Sequence, residues 1–483
     1  MQCREGVLSN TAATGPHVTL FSIVILARKG TPLILGRDCM ATTIEELPLN
    51  RFHRLLTLRC GGGSFVDGYA LSIIGVGMVQ ISGALHLSGL WEGLIAAAAL
   101  IGIFVGGLFG GKLTDHFGRS RVIFIGPTLF VVFSLASLWL DSAEALLACR
   151  FLIGIGVGIE YPVATALLVE FLPRASRGPR LAALTILWFA GAACAYILGN
   201  LILSTTGAEG WRWALASTAL AGAALLLIRL GTPESARWLL GKGRRAEADA
   251  VVRQVFGPRF SAEHLAEQPT AEAGGLLELL RSGYASRLLF VILFWTCSVV
   301  PVFAVYAFAP KVLLALNLHD DWAAYGSIAI TLLFVVGCVI ATVLINRLGR
   351  RPLLLHSFFW SGLALLLLGA FADSTPLLVL VLFGSYALFI GGAQVLQLVY
   401  PNELFPTRIR AVGVGIGTSF SRIGAAVGTY LVPLSLSTLG ITQTMYIAAA
   451  ITATGFIAGW LLAPETASLD LAQAASLRPT PSH

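Results

Sequence analysis

An apolar run of about 20 residues is the length a helix needs to cross a hydrocarbon core, and this sequence repeats such a run roughly at 62–84, 93–113, 121–140, 145–170, 181–204, 211–230, 288–310, 323–345, 352–372, 376–400, 409–433 and 441–463. Twelve runs in 483 residues leave little room for anything else. Hydrocarbon offers no hydrogen-bond partners, so each run must satisfy its own backbone and is read as an α-helix. Composition agrees, since 56% hydrophobic residues, 12% charged residues and a mean hydropathy of +0.82 exclude an ordinary soluble domain.

The net charge of +7 would suit a nucleic-acid binder if it were clustered, but it is spread over alternate loops. Arg51, Arg54 and Arg59, then Lys112, Arg119 and Arg121, then Arg174, Arg177 and Arg180, the loop after the sixth run, Arg347, Arg350 and Arg351, and finally Arg408 and Arg410 fall on one side. The other side offers little beyond Arg212 and Lys311. That bias predicts a multi-pass inner-membrane protein with both termini in the cytoplasm and no nucleic-acid partner. Trp91, Trp139, Trp211, Trp213 and Trp322 cluster at the opposite ends of the runs, as an interfacial aromatic belt does. The seven cysteines are scattered without metal-ligand spacing, so neither a metal, a cofactor nor a disulfide set is expected.

A polar loop, GKLTDHFGRSRVIF from Gly111 to Phe124, returns in degenerate form as NRLGRRPLLL from Asn346. Gly118 to Gly349 and Arg119 to Arg350 are both 231 residues apart. VEFLPRASRG and NELFPTRIRAVG repeat too: Glu170 and Glu403, Pro173 and Pro406, and Arg177 and Arg410 are each separated by 233. A constant offset predicts two similar six-helix halves, here 51–231 and 288–463, joined by a cytoplasmic loop at 232–287 and flanked by 1–50 and a tail at 464–483. Residues 1–39 read as an over-extended start or disordered tail ahead of Met40. Gly102, Gly106 and Gly110, spaced four apart, put one bare helix face where another backbone can approach.

Charges inside the runs point to function, because a bilayer tolerates them only when paired, protonated or facing water. Asp67 lies eight residues past Arg59, about 12 Å along a helix axis; Glu160 lies ten past Arg150, about 15 Å; Arg422 lies twelve past Arg410, about 18 Å. The three are expected to meet in a central cavity and couple substrate movement to protons, although an ion pair is the structural role available to Glu160. Tyr69, Tyr161, Trp188, Trp295, Tyr306 and the amide pair Gln394 and Gln397 are candidates for binding a small polar substrate without fixed charge.

These segments resemble the major facilitator superfamily, in its sugar-porter-like branch and among the bacterial inner-membrane metabolite transport proteins there. Gly111 to Arg121 resembles the signature G-x-L-x-D-x-x-G-R-x-R, PESARWLL at Pro233 resembles P-E-S-P-R-W-L, and PETASLDL at Pro464 resembles P-E-T-K-G. The resemblance implies an all-α membrane protein of twelve helices, acting as a monomer. It makes Gly111, Asp115, Gly118, Arg119, Arg121, Glu170, Arg177, Glu234, Arg237, Gly349, Arg350, Glu403 and Arg410 a conformational motif, and Arg150 the partner of the first-span acid. Two departures bear on substrate. The family's G-Y-D is Gly68-Tyr69-Ala70 here, and its sugar-binding glutamine pattern is missing from the seventh run. The expected function is alternating-access, proton-coupled symport of a small polar metabolite. Alternatives are a phosphate or organic-anion:proton symporter and a non-transporting membrane sensor. An enzyme is not expected, because no metal cluster or nucleophile–base pair falls in the runs.

Overall fold

The computed structural model describes residues 44, 47–265, 276–316, 318, 321–467, 469 and 471–477; residues 1–39, read above as a tail, lie outside them. Among the described residues there are helices and connecting turns but no strands. The first six-helix half holds α1 (Arg51–Ala84), α2 (Gly89–Phe117), α3 (Arg119–Trp139), α4 (Ala143–Phe171), α5 (Arg174–Thr206) and α6, which runs as Gly210–Ala216 and then Thr218–Arg229. The second holds α7 (Ala285–Ala315), α8 (Asp321–Leu348), α9 (Arg350–Ala370), α10 (Pro376–Leu404), α11 (Thr407–Thr438) and α12 (Gly440–Leu462). Ten stretches are long and apolar enough to cross a membrane, and one of them, Pro179–Arg229, carries α5 and α6 end to end. The remaining helix, α11, is rich in glycine, serine and threonine and carries Arg422. Short helices at Ala236–Gly241, Arg245–Phe256 and Leu276–Arg281 occupy the segment between the halves.

The glycine face of α2 meets the backbone of α4. A Cβ added at Gly102 would strike the Phe151 carbonyl, and one at Gly106 the Ile155 carbonyl, while Gly154 on α4 meets Ala99 in return. Small residues allow this approach, and close backbone packing replaces the hydrophobic drive that lipid removes.

The repeated loop closes in the same way twice. Gly118 and Gly349 turn the chain with φ of +93° and +92°, a conformation that side chains rarely adopt. The helix that follows each turn exposes unsatisfied N–H groups. Glu234 accepts from the amides of Arg119 (2.8 Å) and Ser120 (3.2 Å) at the start of α3, and Glu465 accepts from those of Arg350 and Arg351 (both 3.0 Å) at the start of α9. The acids of the two P-E-S/T motifs are therefore helix N-terminal caps delivered from a distant segment. Burial pushes the Glu465 carboxyl up, but the amides of Arg350, Ala467, Arg351 and Thr466 outweigh it and hold it below the usual carboxylate range.

Around each cap the side chains repeat as well. Arg119 pairs with Asp115 and Glu170, both at 3.2 Å, and Arg350 pairs with Glu403 at 3.0 Å and takes Asn346 Oδ1 as acceptor at 3.3 Å. Arg177 and Arg410 each donate to a carbonyl five residues back, of Leu172 (2.9 Å) and Phe405 (3.0 Å). Glu170 also faces Arg237 and is bonded by Ser235, while Gly111 sits in open space and Arg121 is exposed. The Arg119–Asp115, Arg119–Glu170 and Arg350–Glu403 pairs each lie within one half and stiffen it.

Gly106→Leu should force α2 and α4 apart, at a cost on the order of 1–3 kcal/mol for overpacking. The measurement is the thermal midpoint of the purified protein in detergent, with Gly111→Leu, where an added Cβ meets nothing within 4 Å, as the neutral control.

Candidate functional site

Between the halves lies a cavity of about 600 Å³, walled by α1, α2, α4 and α5 on one side and α7, α10 and α11 on the other. It reaches Val412, two residues beyond Arg410, and so extends toward the face that carries the arginine-rich loops. Its other end is shut by aromatic rings from both halves. Trp188 of α5 meets Phe303 and Tyr306 of α7 edge-on at 5.8 and 5.5 Å, and Phe189 stacks on Phe334 of α8 at 5.7 Å. Such ring pairs add about 0.5–1.5 kcal/mol each beyond the area they bury.

Proline chemistry shapes this closure. Pro310 has no N–H to give the carbonyl four residues back, that of Tyr306, and the Tyr196 hydroxyl of α5 donates to it instead at 3.1 Å. The helix is broken at Phe308, with φ −137° and ψ 16°. Beyond the break, Lys311 forms an ion pair with Glu92 of α2, and Ser82 Oγ donates to the same carboxylate at 2.5 Å. Glu92 is 2% exposed, so this interhalf pair is sealed from water on its acidic side.

The three expected charges separate into two environments. Glu160 is buried in a bidentate pair with Arg229 of α6, whose Nη1 reaches Oε2 at 2.8 Å. Arg229 also donates to the carbonyls of Ile123 (2.6 Å) and Arg59 (3.2 Å), tying α1, α3, α4 and α6 together. Glu160 thus has the ion pair that was its structural alternative, and it does not line the cavity. Arg150 donates to the Ala70 carbonyl of α1 at 2.7 Å, one turn from Asp67, so its contact is with the backbone of the first span and not with the acid.

Asp67 and Arg422 do line the cavity, from opposite halves. Asp67 is 4% exposed and its Oδ1 has no hydrogen-bond partner; the Nε of Arg422 is likewise buried and unpartnered, and its guanidinium sits 5.5 Å from the Phe303 ring centre. The two attract each other electrostatically without forming an ion pair.

Of the proposed binding residues, Tyr161, Trp188, Trp295, Gln394 and Gln397 are on the wall. Gln397 Nε2 donates to Ser298 Oγ (2.9 Å) and Gln394 Oε1 (2.7 Å), and Gln394 Nε2 donates to the Ser298 carbonyl (2.9 Å). Tyr306 lies within the aromatic closure, and Tyr69 is turned into its own half, sharing a 2.6 Å hydrogen bond with Ser217 of α6. Sequence reasoning missed Arg229, Ser298, Phe303 and the Glu92–Lys311 pair. Arg229 had one available signal, an arginine inside the sixth apolar run ahead of Gly231.

The model of a family described as sugar (and other) transporter matches residues 60–477. YaaU of Escherichia coli (strain K12) is 39% identical over 435 residues, covering 90% of this chain and 97% of that protein. The inner membrane metabolite transport protein YgcS of the same organism is 37% identical over 434 residues, covering 90% and 96%. A partially occluded, inward-open structure of the xylose transporter XylE from E. coli superposes with a TM-score of 0.74 over 86% of this chain and 99% of that one, at 20% identity. At that identity the likeness is one of fold.

Removing Arg229 would strand Glu160 in a dry site. Arg229→Met is expected to cost about 3–5 kcal/mol, the usual consequence of breaking a buried pair, and Arg229→Met with Glu160→Met should recover most of it. Thermal unfolding of the single and double variants in detergent reads the difference.

Proposed function

The chain belongs to the sugar (and other) transporter family, and we propose that within it this protein carries a small polar metabolite across the inner membrane by alternating access, with protons moving alongside the substrate. The observation that carries this reading is an unpartnered carboxylate, Asp67, on the wall of a cavity that is closed at one end by contacts between the two halves. A proton carrier must be able to take up and lose its proton during the cycle. A carboxylate without a hydrogen-bond partner, facing a charged arginine across a movable gap, has that freedom. Glu160, locked to Arg229, is better suited to holding α1 and α4 in place beside Asp67.

Arginine-rich loops mark the cytoplasmic side by the positive-inside rule, which makes this an inward-facing arrangement. Opening to the other side would then require the aromatic closure to part and Lys311 to leave Glu92. YgcS is by its name an inner membrane metabolite transport protein, and XylE is described in a further structure as a proton:xylose symporter. Both descriptions support the reading without specifying this substrate.

Two outcomes test it. In proteoliposomes with an imposed pH gradient, Asp67→Asn should abolish uphill accumulation and, because asparagine keeps an Oδ1 acceptor, spare substrate exchange; accumulation at the wild-type rate would make Asp67 structural. Lys311→Met should lengthen the distance between spin labels at the Glu92 end of α2 and the Lys311 end of α7, read by pulsed electron spin resonance. An unchanged distribution would mean that the pair does not hold this end shut.

A further inference from the structure

The charges left on the cavity wall narrow the substrate class, on the premise that this cavity is the transport site. Among the described residues lining it, only Asp67 and Arg422 are charged. Glu160 and Arg229 neutralise each other outside it. Arg422 cannot shed its proton, and among the described residues its guanidinium has the face of Phe303 and a distant attraction to Asp67, both weaker than an ion pair. No carboxylate among the described residues lies within ion-pair distance of it, and its Nε is buried without a partner. A cation held at that depth needs an anion.

The remaining polar groups on the wall include the unpartnered indole N–H of Trp295, a donor that suits a carboxylate or hydroxyl oxygen, and two acceptors. Both hydrogens of Gln397 Nε2 are spent on Ser298 and Gln394, so Gln397 offers its Oε1. Asp67 Oδ1, on the facing half, is a second acceptor. Acceptors recognise donors, and on a small anion the available donors are hydroxyl groups. Trp188 and Phe303 flank the same space with apolar ring surface, which suits the C–H faces of a short carbon chain.

We infer that the substrate is a small hydroxylated carboxylate, its carboxylate held by Arg422 of the second half and its hydroxyls by Gln397 and Asp67. Arg422 and Asp67 belong to different halves, so such a molecule touches both.

Matched pairs of hydroxy acid and alcohol provide the test: glycerate with glycerol, threonate with threitol, and gluconate with glucitol, titrated calorimetrically into the purified full-length chain. At least one acid should bind about 100-fold or more tightly than its alcohol, because a site built around a charged partner rejects the analogue that lacks it. Arg422→Gln should lose at least about tenfold of that affinity, and Arg422→Lys, which keeps the charge without the planar fork, should lose less. The Arg422→Lys variant and the wild-type acid–alcohol ratio keep the test valid if Arg422→Gln fails to fold. The inference is overturned if no acid binds better than its alcohol, or if Arg422→Gln binds the acids as the wild type does. Accumulation of an alcohol driven by a pH gradient would also overturn it while leaving the transport reading intact. Arg422-dependent binding of an acid without gradient-driven uptake would uphold it and remove the proton coupling.

Discussion

Hydrocarbon cannot solvate a charge, and the architecture follows from which charges the protein satisfies itself and which it leaves to the cavity. Glu160 and Arg229 are satisfied completely: 1% and 0% exposed, bidentate, with the spare guanidinium hydrogens on the Ile123 and Arg59 carbonyls. That pair pins four helices of the first half at mid-depth. The positions 233 residues after Glu160 and 231 after Arg229 are Ala393 and Trp460, so the second half has no copy of it. The halves share a fold and a loop but not a core charge. The first is braced by a buried ion pair, and the second by the neutral Ser298–Gln394–Gln397 network.

The interactions also divide by strength. Within each half, the arginine networks, the acid caps and the glycine-mediated packing of α2 on α4 are numerous and mutually supporting. Between the halves, polar contact among the described residues is sparse: one hydroxyl on the freed Tyr306 carbonyl and one ion pair, with aromatic edges besides. Close backbone approach also joins the halves, where Gly75 of α1 meets the Tyr306 carbonyl and Gly93 of α2 the Tyr430 carbonyl.

Much of this was readable from residue order alone. Apolar length gave the spans, and the constant offsets gave the halves, because repetition of a loop leaves a trace that packing cannot hide. Gly102, Gly106 and Gly110 announced a close helix neighbour. Asp67 and Arg422 stood out as charges at depth. Partner choice was not readable: Glu160 could have paired with Arg422, and nothing along the chain says that α6 delivers Arg229. The Glu92–Lys311 pair was hidden for the same reason, since its members are 219 residues apart and fit no repeat.

The break in α7 at Phe308 separates two duties of one helix. Trp295 and Ser298 stand on the cavity side of it, while Lys311 stands beyond it. A continuous helix would have to tilt over its full length for its far end to move, dragging the cavity wall along. With the ladder already interrupted by Pro310, the terminal turn can swing as a short lever whose fulcrum is paid for in the sequence. The break thus divides α7 into a cavity-lining stretch and an end that answers to α2 through Glu92.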